Sequence, residues 1–385
     1  MCGFSGCFSH NKKLEKSFYP VPLNHRGPDD FKLFKNNFVN LNFFRLKILG
    51  GVYGEQPMIS ENKKWLMVFN GCIYNYVEIA KEIKRPDLIR KGDSRVLLEF
   101  LSLKGFSNLK KLNGMFSIVI INIKKKKLFL IRDRFGIKPL YYKIKKNIFY
   151  FSSEIKSISN TFKLKIDFDQ ISNFLESELY PARPNTFFKD IYEIEPGTIN
   201  EFKKVKIKIK KFYNLEKQVN ALERKKLNLR KFENIFEKSL KLRLRSDVPI
   251  SLHYSGGIDS TAILCKLREI YKKKFPIKVF FINYGSKNNL DLLRAKTVTK
   301  LLKVKLNILN FNKHNLKREA LKVQYFMDEP FGGIPLIGMS VLSKEGRKNN
   351  IPVSLEGQGS DEIFGGYFSH VLLLMKDLYI TKKNK

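Results

Sequence analysis

A chain of 385 residues with 43% hydrophobic side chains is long enough for two domains with cores of their own and too apolar to stay disordered. Its net charge of +37 would suit a nucleic acid or an anionic membrane, but the basic residues are scattered, Lys far outnumbers Arg, and Phe, Ile and Asn are abundant, so a coding bias toward Lys accounts for the charge and neither partner is expected. No run approaches the roughly 18 apolar residues that span a membrane, Asn11, Lys12 and Lys13 break any signal-peptide core, and Cys2, Cys7, Cys72 and Cys265 show neither metal nor disulfide spacing, which predicts a cytoplasmic protein.

Cys2 is the first chemical signal. If Met1 is removed, Cys2 carries both a thiol and a free α-amine, and an amine with an ordinary pKa of about 7.7 to 8.0 is a built-in base for the thiol. Gly3 beside it permits close approach of a substrate; the plain alternative is a frayed terminus. Strand-like runs at 4–9, 38–49, 65–69, 115–123 and 128–132, with helical runs at 76–84 and 94–104, predict sheets covered by helices. Polar segments at 25–29, 70–75 and 92–93 have the composition of site loops, and the blocks 132–142 and 151–156 come later in the same half. Within them Asn70-Gly71 reads as a hairpin turn, and could also offer an amide and a backbone N–H as an oxyanion hole.

Asp167 opens a helix to 179, residues 195–198 form a turn, and the basic alternation 204–211 predicts an edge strand whose lysines discourage pairing. Residues 214–229 are polar and link the halves, giving predicted domains at 2–212 and 228–385. A helix over 232–244 then leads into strands at 250–254, 277–283, 304–309 and 351–355 with helical stretches between, the pattern of a parallel sheet with ligands at its carboxyl edge. Just past the first of these strands stands Ser255-Gly256-Gly257-Ile258-Asp259-Ser260. Two glycines before a helix bring backbone N–H groups and a favourable dipole to an anion such as phosphate, with Asp259 and Ser260 placed for a metal ion or a phosphate oxygen. No Lys follows, so this is not a Walker loop, and the alternative is a simple helix cap. Residues 357–362 follow the last strand and could share the same crevice.

The blocks 25–29, 70–75, 132–142 and 151–156 behind an N-terminal Cys, followed by 243–249, 255–260, 328–330 and 357–367, resemble glutamine-hydrolysing asparagine synthetases over nearly the whole chain. The resemblance implies a fold of mixed α/β and α+β class. It joins an N-terminal αββα Ntn-hydrolase glutaminase domain of the class II amidotransferases to a doubly wound, parallel-sheet ATP-pyrophosphatase domain. It implies that Cys2 attacks the glutamine amide, that Asn70 and Gly71 form the oxyanion hole, that Arg45 with Leu49 binds the glutamine carboxylate and that Asp93 receives the α-ammonium. In the second half Ser255, Gly256, Gly257 and Ser260 would hold pyrophosphate, Asp259 and Asp361 would hold Mg²⁺, and Tyr254, Ile282, Glu356 and Gly357 would receive ATP.

The implied reaction passes ammonia internally to an adenylated carboxylate, aspartate by default. Three positions depart from the family. Cys72 and Arg95 each stand where a Glu is usual, and Gln358 replaces the Glu implicated at the adenylate. Loss of the carboxylate at Cys72 implies glutamine binding weaker by about 1.5 to 3 kcal/mol, and Gln358 points to another acceptor, such as a sugar acid, or to an impaired glutaminase or binding subunit. The chain also stops soon after Tyr367, where the family continues, so a fragment, a homodimer or a partner completing the acceptor region is expected.

Overall fold

Along Trp65–Ile73 and Gly114–Asn122, successive side chains enter two different apolar layers, so most of their length is buried on both faces. Leu66, Val68, Val119 and Ile121 meet Phe4, Phe8, Leu41 and Phe43 of a facing sheet. Their neighbours Met67, Phe69, Ile118 and Ile120 pack with Ile79 and Val96, Leu97, Phe100 and Leu101, which lie on the helices Tyr76–Glu82 and Asp93–Lys104.

The computed structural model describes residues 1–385 except 11–12, 15–17, 19, 160, 204–205, 223–227, 273, 286–288 and 384–385. Asn11 and Lys12, Lys204, Lys273 and part of the polar 214–229 stretch therefore lie outside the described residues. The chain divides into two units, Met1–Phe232 with Phe326–Pro330, and Glu233–Tyr325 with Phe331–Lys385. In the first unit one antiparallel sheet runs Tyr192–Glu193, Tyr141–Lys145, Ile148–Ser152, Gly3–Ser9, Val39–Arg45, Asp30–Lys35. The other runs Lys206–Lys211, Thr198–Lys203, Lys127–Arg132, Gly114–Asn122, Trp65–Ile73, Met58–Ile59. On the outer face of the first sheet Cys7, Tyr141 and Tyr150 pack with Ile155, Phe162 and Ile158 of the short helix Lys156–Ser159. The result is the αββα layering.

Two elements differ from their sequence reading. Asn70-Gly71 is no turn: the strand continues through Ile73, with Asn70 opposite Ser117 and Gly71 opposite Phe116. A nine-residue ladder with two buried faces outweighs a two-residue turn signal. The predicted strand 38–49 stops at Arg45, after which Asp29 accepts a hydrogen bond from Lys47 N at 2.8 Å and Gly50 and Gly51 turn at positive φ. The stretches 132–142 and 151–156 hold strands as well as loops, the hairpin of Tyr141–Lys145 and Ile148–Ser152 turning through Lys146 and Asn147, both at positive φ. Lys206–Lys211 is an edge strand with its lysines outward, as expected.

The second unit carries a parallel sheet ordered Leu306–Asn310, Lys278–Asn283, Ile250–His253, Val353–Leu355. One face packs on Ile263, Leu264 and Leu267 of helix Ile258–Tyr271 and on Ala295 of Leu290–Leu301, and the other on Leu342 of Ile334–Lys348. From Ile250–His253 the chain builds two strands to one side and then returns to place Val353–Leu355 on the other. The carboxyl end of Ile250–His253 is thus a topological switch point, where open α/β sheets leave a crevice.

Candidate active sites

Gly3–Ser9 is an interior strand, and its pairing of Gly3 with Phe44 sets Cys2 beside the chain as it leaves Val39–Arg45. The Cys2 Sγ accepts from Leu46 N at 3.4 Å and approaches Leu46 O at 3.7 Å. Burial pushes the thiol's pKa up, with Asp93 adding to the rise and Leu46, the terminal amine and Arg45 opposing it. The sulfur is held as a thiol, so its chemistry requires a base. Arg26 Nε donates to Cys2 O at 3.0 Å, and Asn70, with its amide oriented to satisfy both neighbours, donates to the same oxygen at 3.0 Å while accepting from Arg26 Nη2 at 3.3 Å.

Gly71, next along that strand, lies so close to its neighbour that a Cβ would sit 2.1 Å from Met115 O. Gly71→Ala should therefore part the two strands and lower stability by about 1 to 3 kcal/mol, read as a lower urea midpoint at unchanged slope.

Around the thiol stand a cation and an acid. Arg45 is 3% exposed; its Nη2 donates to Gly51 O and reaches Leu49 O at 3.5 Å, whereas Nη1 has no hydrogen-bond partner. A buried guanidinium N–H left open is costly and fits an incoming carboxylate. Asp93 is 5% exposed, and burial raises its carboxyl to about 6 against hydrogen bonds from the backbone of Ile73 and Ser94 and from the Cys72 thiol. The structure thus brings Cys2, Asn70, Arg45, Leu49, Asp93 and Cys72 to one place, whereas Arg95 turns away to Ile59 O at 2.8 Å and to Glu99.

Sequence reasoning missed the support beneath this cluster. Asp133 accepts from the backbone N–H groups of Phe116, Phe135, Ile137 and Lys138, so this buried aspartate staples the 132–138 turn. Glu154 lies 2.9 Å from His25 Nε2 and from Arg26 Nη1 and pairs with Lys156; although its burial opposes ionisation, these partners hold it down at about 2. Lys156 also reaches Asp328 at 2.9 Å, and Tyr180 donates to Pro330 O at 2.8 Å, so residues 328–330, read from sequence as part of the second half, pack within the first unit. The recoverable signal was His25 and Arg26 in a segment with site-loop composition, and Glu154 in the block 151–156 that carries the family resemblance.

In the second unit the glycine turn is built as the sequence suggested. Gly256 has φ 79°, and a Cβ there would sit 2.4 Å from Asp291 O. Ser255 Oγ and Ser260 Oγ are 3.1 Å apart, Ser255 Oγ accepts from Gly257 N at 3.2 Å, and Tyr254 OH lies 3.0 Å from Thr261 Oγ1. Helix Ile258–Tyr271 starts here, so its first N–H groups and its dipole face the switch point. Tyr254 N donates to Phe280 O at 2.8 Å, while Ile282 sits near the end of the neighbouring strand. A Cβ on Gly357 would lie 3.1 Å from Asp259 Cβ, so the 356–358 turn closes over the helix's first turn. Glu356 Oε1 lies 2.7 Å from His253 Nδ1, and Gln358 is exposed. Asp361 is on the short helix Ser360–Phe364, its backbone oxygen accepting from Gly365 and Gly366 N; the structure records no contact between its carboxylate and that of Asp259. Two half-buried carboxylates suit Mg²⁺ held largely by phosphates and water, and among the described residues no group of three or more acidic, His or Cys ligands forms a closed cage.

These features define a class II glutamine amidotransferase fold joined to a parallel-sheet unit with the fold of the ATP-pyrophosphatase type. A glutamine amidotransferase domain model matches residues 1–213 and an asparagine synthase model matches residues 231–382. The chain is 30% identical over 401 residues to putative asparagine synthetase [glutamine-hydrolyzing] 2 of Methanocaldococcus jannaschii, covering 96% of this chain and 76% of that one. It is 29% identical over 379 residues to asparagine synthetase [glutamine-hydrolyzing] 1 of Bacillus subtilis, covering 95% and 59%. To asparagine synthetase [glutamine-hydrolyzing] of Gallus gallus it is 27% identical over 397 residues, covering 95% and 67%. The chain belongs to the glutamine-hydrolysing asparagine synthetase family, while spanning less than two thirds of the length of several relatives, 59% and 52% of two from Bacillus subtilis.

Proposed function

We propose that Cys2 releases ammonia from glutamine through a thioester, and that the ammonia amidates aspartate activated as its β-adenylate, giving asparagine, AMP and pyrophosphate. The observation that carries this reading is that Arg45, whose Nη1 has no hydrogen-bond partner, and the Asp93 carboxyl both act electrostatically on the Cys2 thiol. A cation and an acid near a nucleophile suit the α-carboxylate and α-ammonium of a free amino acid whose side-chain amide meets the sulfur. Asn70 and the backbone at Gly71 would stabilise the oxyanion. In the second unit the first turn of helix Ile258–Tyr271 and the Ser255 and Ser260 hydroxyls would hold pyrophosphate, with Tyr254, Ile282, Glu356 and Gly357 around ATP. Asp259 and Asp361 would hold Mg²⁺, which neutralises phosphate charge when bound. A nucleophilic thiol and four cysteines in the reduced state suit a cytoplasmic setting.

The test is incubation with labelled glutamine, Mg-ATP and a panel of carboxylic acids, following AMP and the amidated product. Aspartate alone giving both supports the reading; AMP formed only with another acid, such as a uronic acid, moves the acceptor. That second outcome has one feature in its favour, the amide of Gln358 beside Gly357, since an amide cannot take a proton from ammonium. Glutamine hydrolysis with no AMP under any condition would reduce the chain to a glutaminase.

The acid at Asp93 gives a pH signature. With its carboxyl at about 6 before glutamine binds, ionised Asp93 attracts the α-ammonium and protonated Asp93 does not, so binding expels a proton. KM for glutamine should be flat above pH 7 and rise by up to roughly tenfold per unit as pH falls below about 6. A KM constant across this range removes Asp93 from the ammonium site.

A further inference from the structure

Lys138 is a buried ionisable group that the proposed reaction leaves unused. It is 3% exposed, and its backbone is fixed at both ends of the peptide: Lys138 N donates to Asp133 Oδ2 at 3.0 Å, and Lys138 O accepts from Arg132 Nε at 2.9 Å. Its ammonium donates to the sulfur of Met1, the residue whose removal frees the Cys2 amine. Burial, reinforced by Arg26 and opposed by Asp133, Cys72 and Cys2, brings Lys138 down to about 8. Cys2 in turn is faced by Leu46, Arg45 and Asp93.

Loss of Met1 takes away the group on which this ammonium rests and moves the terminal amine to Cys2, whose thiol already interacts with Lys138. Two amines close together in a water-poor site repel each other when both are charged, so their titrations are coupled. A charged Lys138 therefore lowers the affinity of the α-amine for a proton and raises the share of neutral amine near neutral pH. That matters because the Cys2 thiol is protonated in its buried setting and needs a neutral base to react. We propose that Lys138 is a positioning residue for proton transfer, its ammonium beside the N-terminus keeping the α-amine of Cys2 unprotonated and so available to take the thiol proton at neutral pH. This rests on the reading of Cys2 as the nucleophile.

The test uses the full chain with Met1 removal verified by intact mass, ¹⁵N-labelled at cysteine, as wild type, Lys138→Met and Lys138→Arg. Titration of the Cys2 amine by its ¹⁵N shift should give a pKa about one unit lower in wild type and Lys138→Arg than in Lys138→Met. The acid limb of kcat/KM for glutamine hydrolysis should move up by the same amount, a roughly tenfold loss in Lys138→Met near pH 6.5 that shrinks toward pH 9. Equal amine pKa values in wild type and Lys138→Met, a loss independent of pH, or retention of Met1 on the purified chain would each overturn the proposal. Wild type with a depressed amine pKa but no glutamine hydrolysis sinks the reading of Cys2 instead, and hydrolysis with an unshifted amine sinks only the role of Lys138.

Discussion

Cys2→Ala is expected to abolish ammonia release from glutamine, with kcat falling by at least ~10⁴-fold, as when a covalent nucleophile is deleted from a hydrolase. The fold should not suffer, because what the sulfur gives up is a 3.4 Å contact from Leu46 N and a 3.7 Å approach to Leu46 O, both weak because sulfur is a poor donor and acceptor. Arg26 and Asn70 hold the backbone carbonyl of residue 2 and remain in place in the variant. Cys2→Ser should do little better, because a hydroxyl in this buried setting is far harder to deprotonate than the thiol it replaces. Ammonium chloride in place of glutamine should restore amide formation in the same variant, since the second unit then receives its nitrogen directly. The measurement is paired: glutamate release from glutamine, and AMP and asparagine formation from ammonium. Residual glutamate release within tenfold of wild type would remove Cys2 from the chemistry.

The second unit was the more legible from sequence, for a physical reason. Its strands are short apolar runs of a parallel sheet covered by helices, most completely at Ile250–His253, and Ile250–His253, Lys278–Asn283, Leu306–Asn310 and Val353–Leu355 begin or end within two residues of the apolar runs. The glycine turn at Gly256 carries its own signal because nothing larger fits against Asp291 O. In the first unit the local signals compete. Asp30–Lys35 has Phe31 and Leu33 exposed on an edge strand, so no one-sided apolar face marks it. Tyr141–Lys145 carries Lys143 and Lys145, and its hairpin partner lies beyond a Lys-Asn turn that lacks the usual glycine. At the thiol, sequence supplied the residues but not their states. Cys72 looked like the loss of a carboxylate; its thiol in fact donates to Asp93 and helps that acid to ionise. Resemblance alone assigns Arg45 to the glutamine carboxylate, inside a predicted strand 38–49, and only its surroundings reveal a guanidinium nitrogen without a hydrogen-bond partner.

Asp259→Asn should lower exchange of labelled pyrophosphate into ATP, measured with aspartate present, by about 10² to 10³-fold, the usual cost of deleting one preorganised electrostatic group. The substitution keeps size and shape, which matters because the 356–358 turn closes over this side chain: a Cβ on Gly357 would already lie 3.1 Å from Asp259 Cβ. The carboxamide can still accept a hydrogen bond but presents a neutral oxygen to a hard cation, so Mg²⁺ and the charge it neutralises are lost while the helix start is preserved. Raising Mg²⁺ should recover part of the exchange if Asp259 binds the ion, and none of it if the residue only caps helix Ile258–Tyr271. Glutamine hydrolysis at Cys2 reports on folding in the same sample. An exchange rate within threefold of wild type would mean that the Ser255 to Ser260 turn is a helix cap and not a phosphate cradle, because a carboxylate on the first turn of a helix stabilises it by only about 0.3 to 1 kcal/mol, and losing that much leaves the chemistry untouched.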